Sequence, residues 1–176
     1  MASVLAIISK AQFEEVVRSR PGGTKPGDVL GVDTYRSTHK ALSPLLDGGS
    51  LFLVTIRPPE ERLWLVGVLE SPRQIEGAWA AKPGRAPITD ITAIRTELRF
   101  ANGKGVPVGP GKLAMSLQTP RSLTDADERI LRASLGAAPP SKSTPTPDAP
   151  SPLAPVASKP AKPSQQTAPA PELGST

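Results

Sequence analysis

Two apolar runs, LFLVTI at residues 51–56 and LWLVGVL at residues 63–69, are joined by the short polar link Arg57-Pro58-Pro59-Glu60-Glu61-Arg62. Each run is of strand length, rich in Leu and Val, and lacks the polar alternation of a half-exposed strand. Such a pair reads as a hairpin buried on both faces, as in a small barrel. Gly67 interrupts the second run, and glycine weakens a strand interior unless a bulge, a barrel corner or a close backbone approach requires it. A barrel corner is the expected reason here.

The side chains that build such a core are unevenly spread along the 176 residues. The last forty positions hold half of the 22 prolines, set among Ala, Ser, Thr and Lys. That composition cannot bury enough apolar surface to offset the entropy of ordering the backbone. Residues 137–176 are therefore expected to be a disordered tail of polyproline character, a flexible spacer in preference to a proline-rich ligand. Residues 1–136 are of the right size for one domain with one core.

Of the formal charge of +5, the tail accounts for +1 through Lys142, Lys159 and Lys162 against Asp148 and Glu172, which leaves the domain mildly basic. A positive surface favours polyanionic partners without requiring them. The chain has no cysteine and one histidine, His39, so disulfides, thiolate chemistry and Cys- or His-cluster metal sites are excluded. The apolar stretch at residues 4–8 is too short for a signal peptide and no run reaches membrane-spanning length, so a cytoplasmic location with no membrane partner is expected.

Read in order, Val4, Leu5, Ala6, Ile7 and Ile8 form a strand candidate. Ser9 and Gln12 then write a capping box, with Ile8 and Phe13 at the hydrophobic-staple positions. Phe13, Val16 and Val17 give that helix an apolar face, and Pro21-Gly22-Gly23 is its stop. Lys25-Pro26-Gly27-Asp28 is a turn leading into a strand through Val29, Leu30 and Val32 towards Tyr35. A loop with Arg36, Ser37, Thr38 and His39 precedes a weakly helical ALSPLL segment and the hairpin. Ser71-Pro72 ends the second hairpin strand, and a polar stretch after it carries Trp79 to Lys82-Pro83-Gly84. Residues 88–100 fit either a helical or a strand face, and a helical turn leading into a strand is favoured. Leu113, Met115 and Leu117 alternate as a half-buried strand, and Thr124 caps a last helix with Asp125 and Asp127 at the favourable end of its dipole. The sum is α+β: a small, mainly antiparallel, barrel-like sheet with flanking helices.

Several of these pieces, in this order, resemble the PUA-like superfamily and within it the EVE domain, a relative of the YTH readers. They are the opening strand and capped helix, the Lys25-Pro26-Gly27-Asp28 turn, the run Val66-Gly67-Val68-Leu69-Glu70-Ser71-Pro72, Trp79 shortly after it, and the ending Arg121-Ser122-Leu123-Thr124-Asp125-Ala126-Asp127. The resemblance spans residues 1–136 and implies a pseudobarrel with flanking helices. It also implies recognition of nucleic acid, often a modified base held in an aromatic-lined pocket beside a basic surface. The segment before the V-G strand is longer than the family pattern, and it is occupied by residues 51–56.

Candidate ligand contacts are Tyr35, Arg36 and His39, at a strand end and in the loop after it, and Trp79, which stands in a polar, glycine-flanked stretch suited to a pocket edge. Trp64, inside the apolar strand, is expected in the core. Arg57, Arg62, Lys82 and Arg85 are candidate phosphate contacts; the same residues also suit a solvated surface. His39 with Ser37 and Asp33 or Asp47 does not make a catalytic triad, because neighbouring loop residues cannot reach that geometry. The paired carboxylates and the glycines at positions 103, 105, 109 and 111 are accounted for by caps and turns. No enzyme, metal or cofactor is expected. The function expected is a binding module for DNA or RNA, the alternative being a protein-interaction or assembly module tethered by its tail.

Overall fold

The computed structural model describes residues 2–19, 24–107, 109 and 111–136. The expected helix stop at residues 21–23 and the tail at residues 137–176 lie outside the described residues. Strand β1 (Ala2–Ile7) leads into helix α1 (Lys10–Ser19). The capping box forms as written: the Gln12 N–H donates to Ser9 Oγ at 3.2 Å and the Ser9 N–H to Gln12 Oε1 at 3.3 Å. Ile8 and Phe13 are both buried in one apolar cluster. The Lys25-Pro26-Gly27-Asp28 turn closes with the Asp28 N–H on the Lys25 carbonyl at 3.0 Å, and Gly27 takes φ +98°. Pro second and a positive-φ glycine third are what a type II turn demands.

Strand β2 (Thr34–Arg36) follows, then a 3₁₀ helix (Lys40–Asp47), β3 (Gly49–Arg57), β4 (Arg62–Glu70), β5 (Arg73–Ile75), β6 (Ala78–Ala80) and β7 (Thr89–Asp90). A short 3₁₀ turn (Ala93–Thr96), helix α2 (Lys112–Leu117), β8 (Arg121–Ser122) and helix α3 (Asp125–Gly136) complete the described chain. The class is α+β, as expected. One sheet is five-stranded in the order β7-β4-β3-β1-β8, and a second is three-stranded in the order β2-β6-β5. β1 pairs with β3 in parallel and every other strand pair is antiparallel. The larger sheet is therefore mixed.

The hairpin is buried on both faces, but a closed barrel is not found. Its burial comes from layers. Leu51 and Leu53 of β3 face a cluster with Val4, Phe13, Leu30, Tyr35, Leu42 and Trp79. Phe52 and Val54 face a second cluster with Leu63, Ile91, Leu98, Leu113, Leu117 and Leu131. An open sheet with an apolar layer on each side gives the same unalternated sequence as a barrel wall.

Gly67 has a different explanation from a barrel corner. The pairing of β3 with β4 shifts register between Leu53 and Val54, whose partners are Gly67 and Leu65. Leu63 and Leu65 face one core, Val66 the other, and Val68 and Leu69 resume the alternation in the opposite phase. A bulge at this point reverses which residues point where. A Cβ on Gly67 would also press on the Val32 side chain at 3.2 Å. Gly49, at φ +138°, admits no other residue, since a Cβ there would run into the Ala2 carbonyl.

Three further expectations are corrected. Val29, Leu30 and Val32 do not form a strand: Val29 makes one isolated bridge to Pro87, and regular pairing begins at Thr34. Leu113, Met115 and Leu117 lie on α2, where Leu113 and Leu117 share a buried face four residues apart and Met115 is 71% exposed. Three alternating apolar residues are too few to separate the two periods. Residues 73–80 are a β-hairpin, with Glu76 and Gly77 both at positive φ as a type I′ turn requires.

Helix α3 is fixed at both ends of its buried face. Thr124 and Asp127 form its capping box, and buried Asp127 also accepts the Arg99 N–H at 2.6 Å. Further along, Arg132 donates to Glu128 and Glu70 and to Ser50 Oγ, and lies 5.5 Å from the Phe52 ring. Hydrogen bonds from Arg132 hold the Glu70 carboxyl below the usual range despite partial burial. Burial raises that of Glu128, but bonds from Ser3 and Arg132 outweigh it and the net shift is down. Both shifts stabilise the folded state above the unfolded carboxyl pKa, near 4.5, and the gain is lost as pH falls through the lower folded values. Arg132→Ala should cost about 1 kcal/mol at neutral pH, limited by solvent screening of a side chain 42% exposed. It should also flatten the fall in urea-unfolding stability below about pH 4.5; an unchanged acid limb would contradict this.

Candidate functional site

The three-stranded sheet has one face in the core and one in solvent. Partners across an antiparallel ladder point to the same side. Tyr35 of β2 pairs with Trp79 of β6, and both are buried. On the other side two rows result: Arg36, Ala78 and Ile75, then Thr34, Ala80 and Arg73. Thr34, Arg36, Arg73 and Ile75 are exposed, and the two alanines are half-buried between them. The outward face thus has a floor of small side chains with arginines at two diagonal corners.

Two concavities border this face. Beyond β5 and the end of β6 lies a groove of 690 Å³ that includes Arg73, Ala80, Lys82, Gly84 and Arg85. Its acidic lining residue, Glu70, is already engaged by Arg132. Gly84 fits this wall because a Cβ there would press on the Val68 carbonyl at 2.7 Å. Beyond β2, a smaller cavity of 210 Å³ lies between the sheet and α1, lined by Ile8, Gln12, Glu15, Tyr35 and Arg36 among others. Burial pushes the Tyr35 phenol pKa up, and its hydroxyl donates to the Ile7 carbonyl at 3.4 Å. Among the described residues, Arg36, Arg73, Lys82 and Arg85 form no ion pair.

The residues singled out in the sequence are partly gathered and partly dispersed. Lys82 and Arg85 share the large groove, and Arg36 and Tyr35 line the small cavity. Trp79 is corrected from pocket edge to core: it is 2% exposed and its indole N–H donates to the Ser37 carbonyl at 3.2 Å. The short hairpin turns its ring inward opposite Tyr35, so no ring face is open for stacking. Trp64, expected in the core, packs against the first cluster and is itself half-buried. Its indole N–H is buried and has no partner among the described residues, and Arg57 lies 5.3 Å from its ring and 5.2 Å from that of Phe13. Arg57 is occupied between those rings, and Arg62 pairs with Glu60 at 2.6 Å and more distantly with Asp90. Neither belongs to the groove. His39 caps the 3₁₀ helix, its Nδ1 accepting the Ala41 N–H at 3.1 Å.

Arg73 was missed in the sequence, along with the alanine floor. The pair Glu76-Gly77 between RQI and AWA was the available signal, a two-residue hairpin connection ending in glycine.

Among the described residues no group of three or more His, Asp or Glu side chains is placed to hold a metal, and no helix is long and apolar enough to cross a membrane. Trp79→Ala should destabilise the protein by about 3–5 kcal/mol, while Arg36→Ala should stay within about 0.5 kcal/mol. Urea unfolding measures both; equal, small effects would contradict the placement. No protein-family model matches the chain, and no curated protein matches it significantly.

Proposed function

We propose that residues 1–136 are a non-enzymatic binding module for nucleic acid, of the PUA-like, EVE-like kind that the sequence resembles. The observation that carries this reading is the grouping of Arg36, Arg73, Lys82 and Arg85 on one face and its bordering groove, none of them in an ion pair among the described residues. Cations left without internal partners are free to exchange counterions for phosphates, the main source of affinity for nucleic acid. In this reading the pseudobarrel is the pair of sheets closing on the shared core of Val4, Leu51, Tyr35 and Trp79.

The cavity between α1 and β2 is the candidate base site, modified or not. Tyr35 forms part of its wall and Gln12 and Glu15 offer hydrogen bonds to a base edge. It is not an aromatic cage, since Tyr35 is the aromatic residue among its lining. The alternative, a protein-interaction or assembly module, draws on Leu46 and Ile75, 63% and 56% exposed, the second on the edge strand β5.

Fluorescence anisotropy of the full chain with labelled oligonucleotides tests the reading. Binding should weaken steeply with salt, and Lys82→Ala and Arg85→Ala should each reduce the slope of log K against log salt by roughly 1. Arg62→Ala should leave the slope unchanged. An absence of binding at low salt would end the nucleic-acid reading.

A further inference from the structure

The outward face of the three-stranded sheet is small and apolar along its middle and cationic at two diagonal corners, a combination that discriminates between forms of nucleic acid. Neighbouring strands lie about 4.8 Å apart, so the Arg36 and Ile75 columns are separated by only about 10 Å. Within that width lie Ala78 and Ala80, with Arg73 diagonal to Arg36. Arg73 and Ala80 of this face also line the groove of Lys82 and Arg85, and Thr34 and Arg36 line the α1 cavity.

We propose that this face holds a single nucleic-acid strand and not a duplex, the strand crossing β2, β6 and β5 with its backbone continuing into the Lys82–Arg85 groove. The inference rests on the nucleic-acid reading above. A duplex turns its base faces inward and offers a protein its sugar-phosphate backbones and groove edges. Its apolar groups, thymine methyls and sugar carbons, are set in the grooves and along the backbones, and reading those grooves takes a helix or ribbon that projects into them. Here the surface is an exposed sheet face whose edge residues also line the α1 cavity and the groove of residues 81–85. A single strand has the complementary chemistry: open, planar, apolar base faces on an anionic backbone. Bases pack on the alanine and isoleucine floor, and the guanidinium planes of Arg36 and Arg73 stack on them in place of the aromatic residues this face lacks. Lys82 and Arg85 take phosphates.

The test is a titration of the full chain with a labelled single strand of roughly ten nucleotides, as DNA and as RNA, and with the same sequences annealed to their complements. The single strand should bind about tenfold more tightly than its duplex in at least one of the two chemistries. Ile75→Ala, at an exposed position, should weaken single-strand binding severalfold and leave duplex binding unchanged. Equal or tighter duplex binding in both chemistries, or no effect of Ile75→Ala on the single strand, would overturn the inference while the nucleic-acid reading stood. If neither form binds, that reading falls and this inference with it.

Discussion

Burial of β3 on both of its faces is the constraint on which the other elements depend. Leu51, Phe52, Leu53 and Val54 are successive residues that point alternately to opposite sides, and all four are removed from solvent. A strand of this kind needs a neighbour on each edge and an apolar layer on each face. β1 and β4 are the neighbours. One layer is built from α1, the 3₁₀ helix and the inward side of β2 and β6; the other from α2, α3 and the segment around Ile91 to Val106. The position of the candidate site follows, because the outward face of the β2-β6-β5 sheet exists only where its inward face, Tyr35 and Trp79, seals the first core.

The charge arrangement links the two layers to that site. Arg132 on α3 reaches Glu70 at the end of β4, which also lines the large groove. By holding this carboxylate, α3 leaves the field in the groove to Arg73, Lys82 and Arg85. Ser50 and Ser3, both buried, complete the network through Glu70 and Glu128 and tie it to the two central strands. Docking of the last described helix and the cationic character of the groove are therefore served by the same guanidinium.

The sequence was legible where one local rule acts alone. The Ser9–Gln12 and Thr124 caps, the Lys25–Asp28 turn and the apolar hairpin each have a local cause, and each appears at its expected place. It was less legible where the outcome depends on what packs opposite. An unalternated run such as LFLVTI is the same text for a barrel wall and for the middle of a layered sheet, and only the distant α2 and α3 decide between them. Trp79 was misassigned for the same reason: its polar neighbours suggested a pocket edge, whereas pairing with Tyr35 buries it. Of the candidate site, Tyr35, Arg36, Lys82 and Arg85 were visible as residue types. Arg73, Ala78 and Ala80 acquire meaning only through the register that sets them beside Thr34 and Arg36.

The central claim is that this chain binds its partner on the outward face of the three-stranded sheet. Amide chemical-shift mapping of the full chain, titrated with a single-stranded oligonucleotide, tests it most directly. Perturbations concentrated in Thr34–Arg36, Arg73–Ile75, Ala78–Ala80 and residues 81–85 are the predicted result. Perturbations confined to the β3–β4 link at residues 57–62, or to α3, would contradict it.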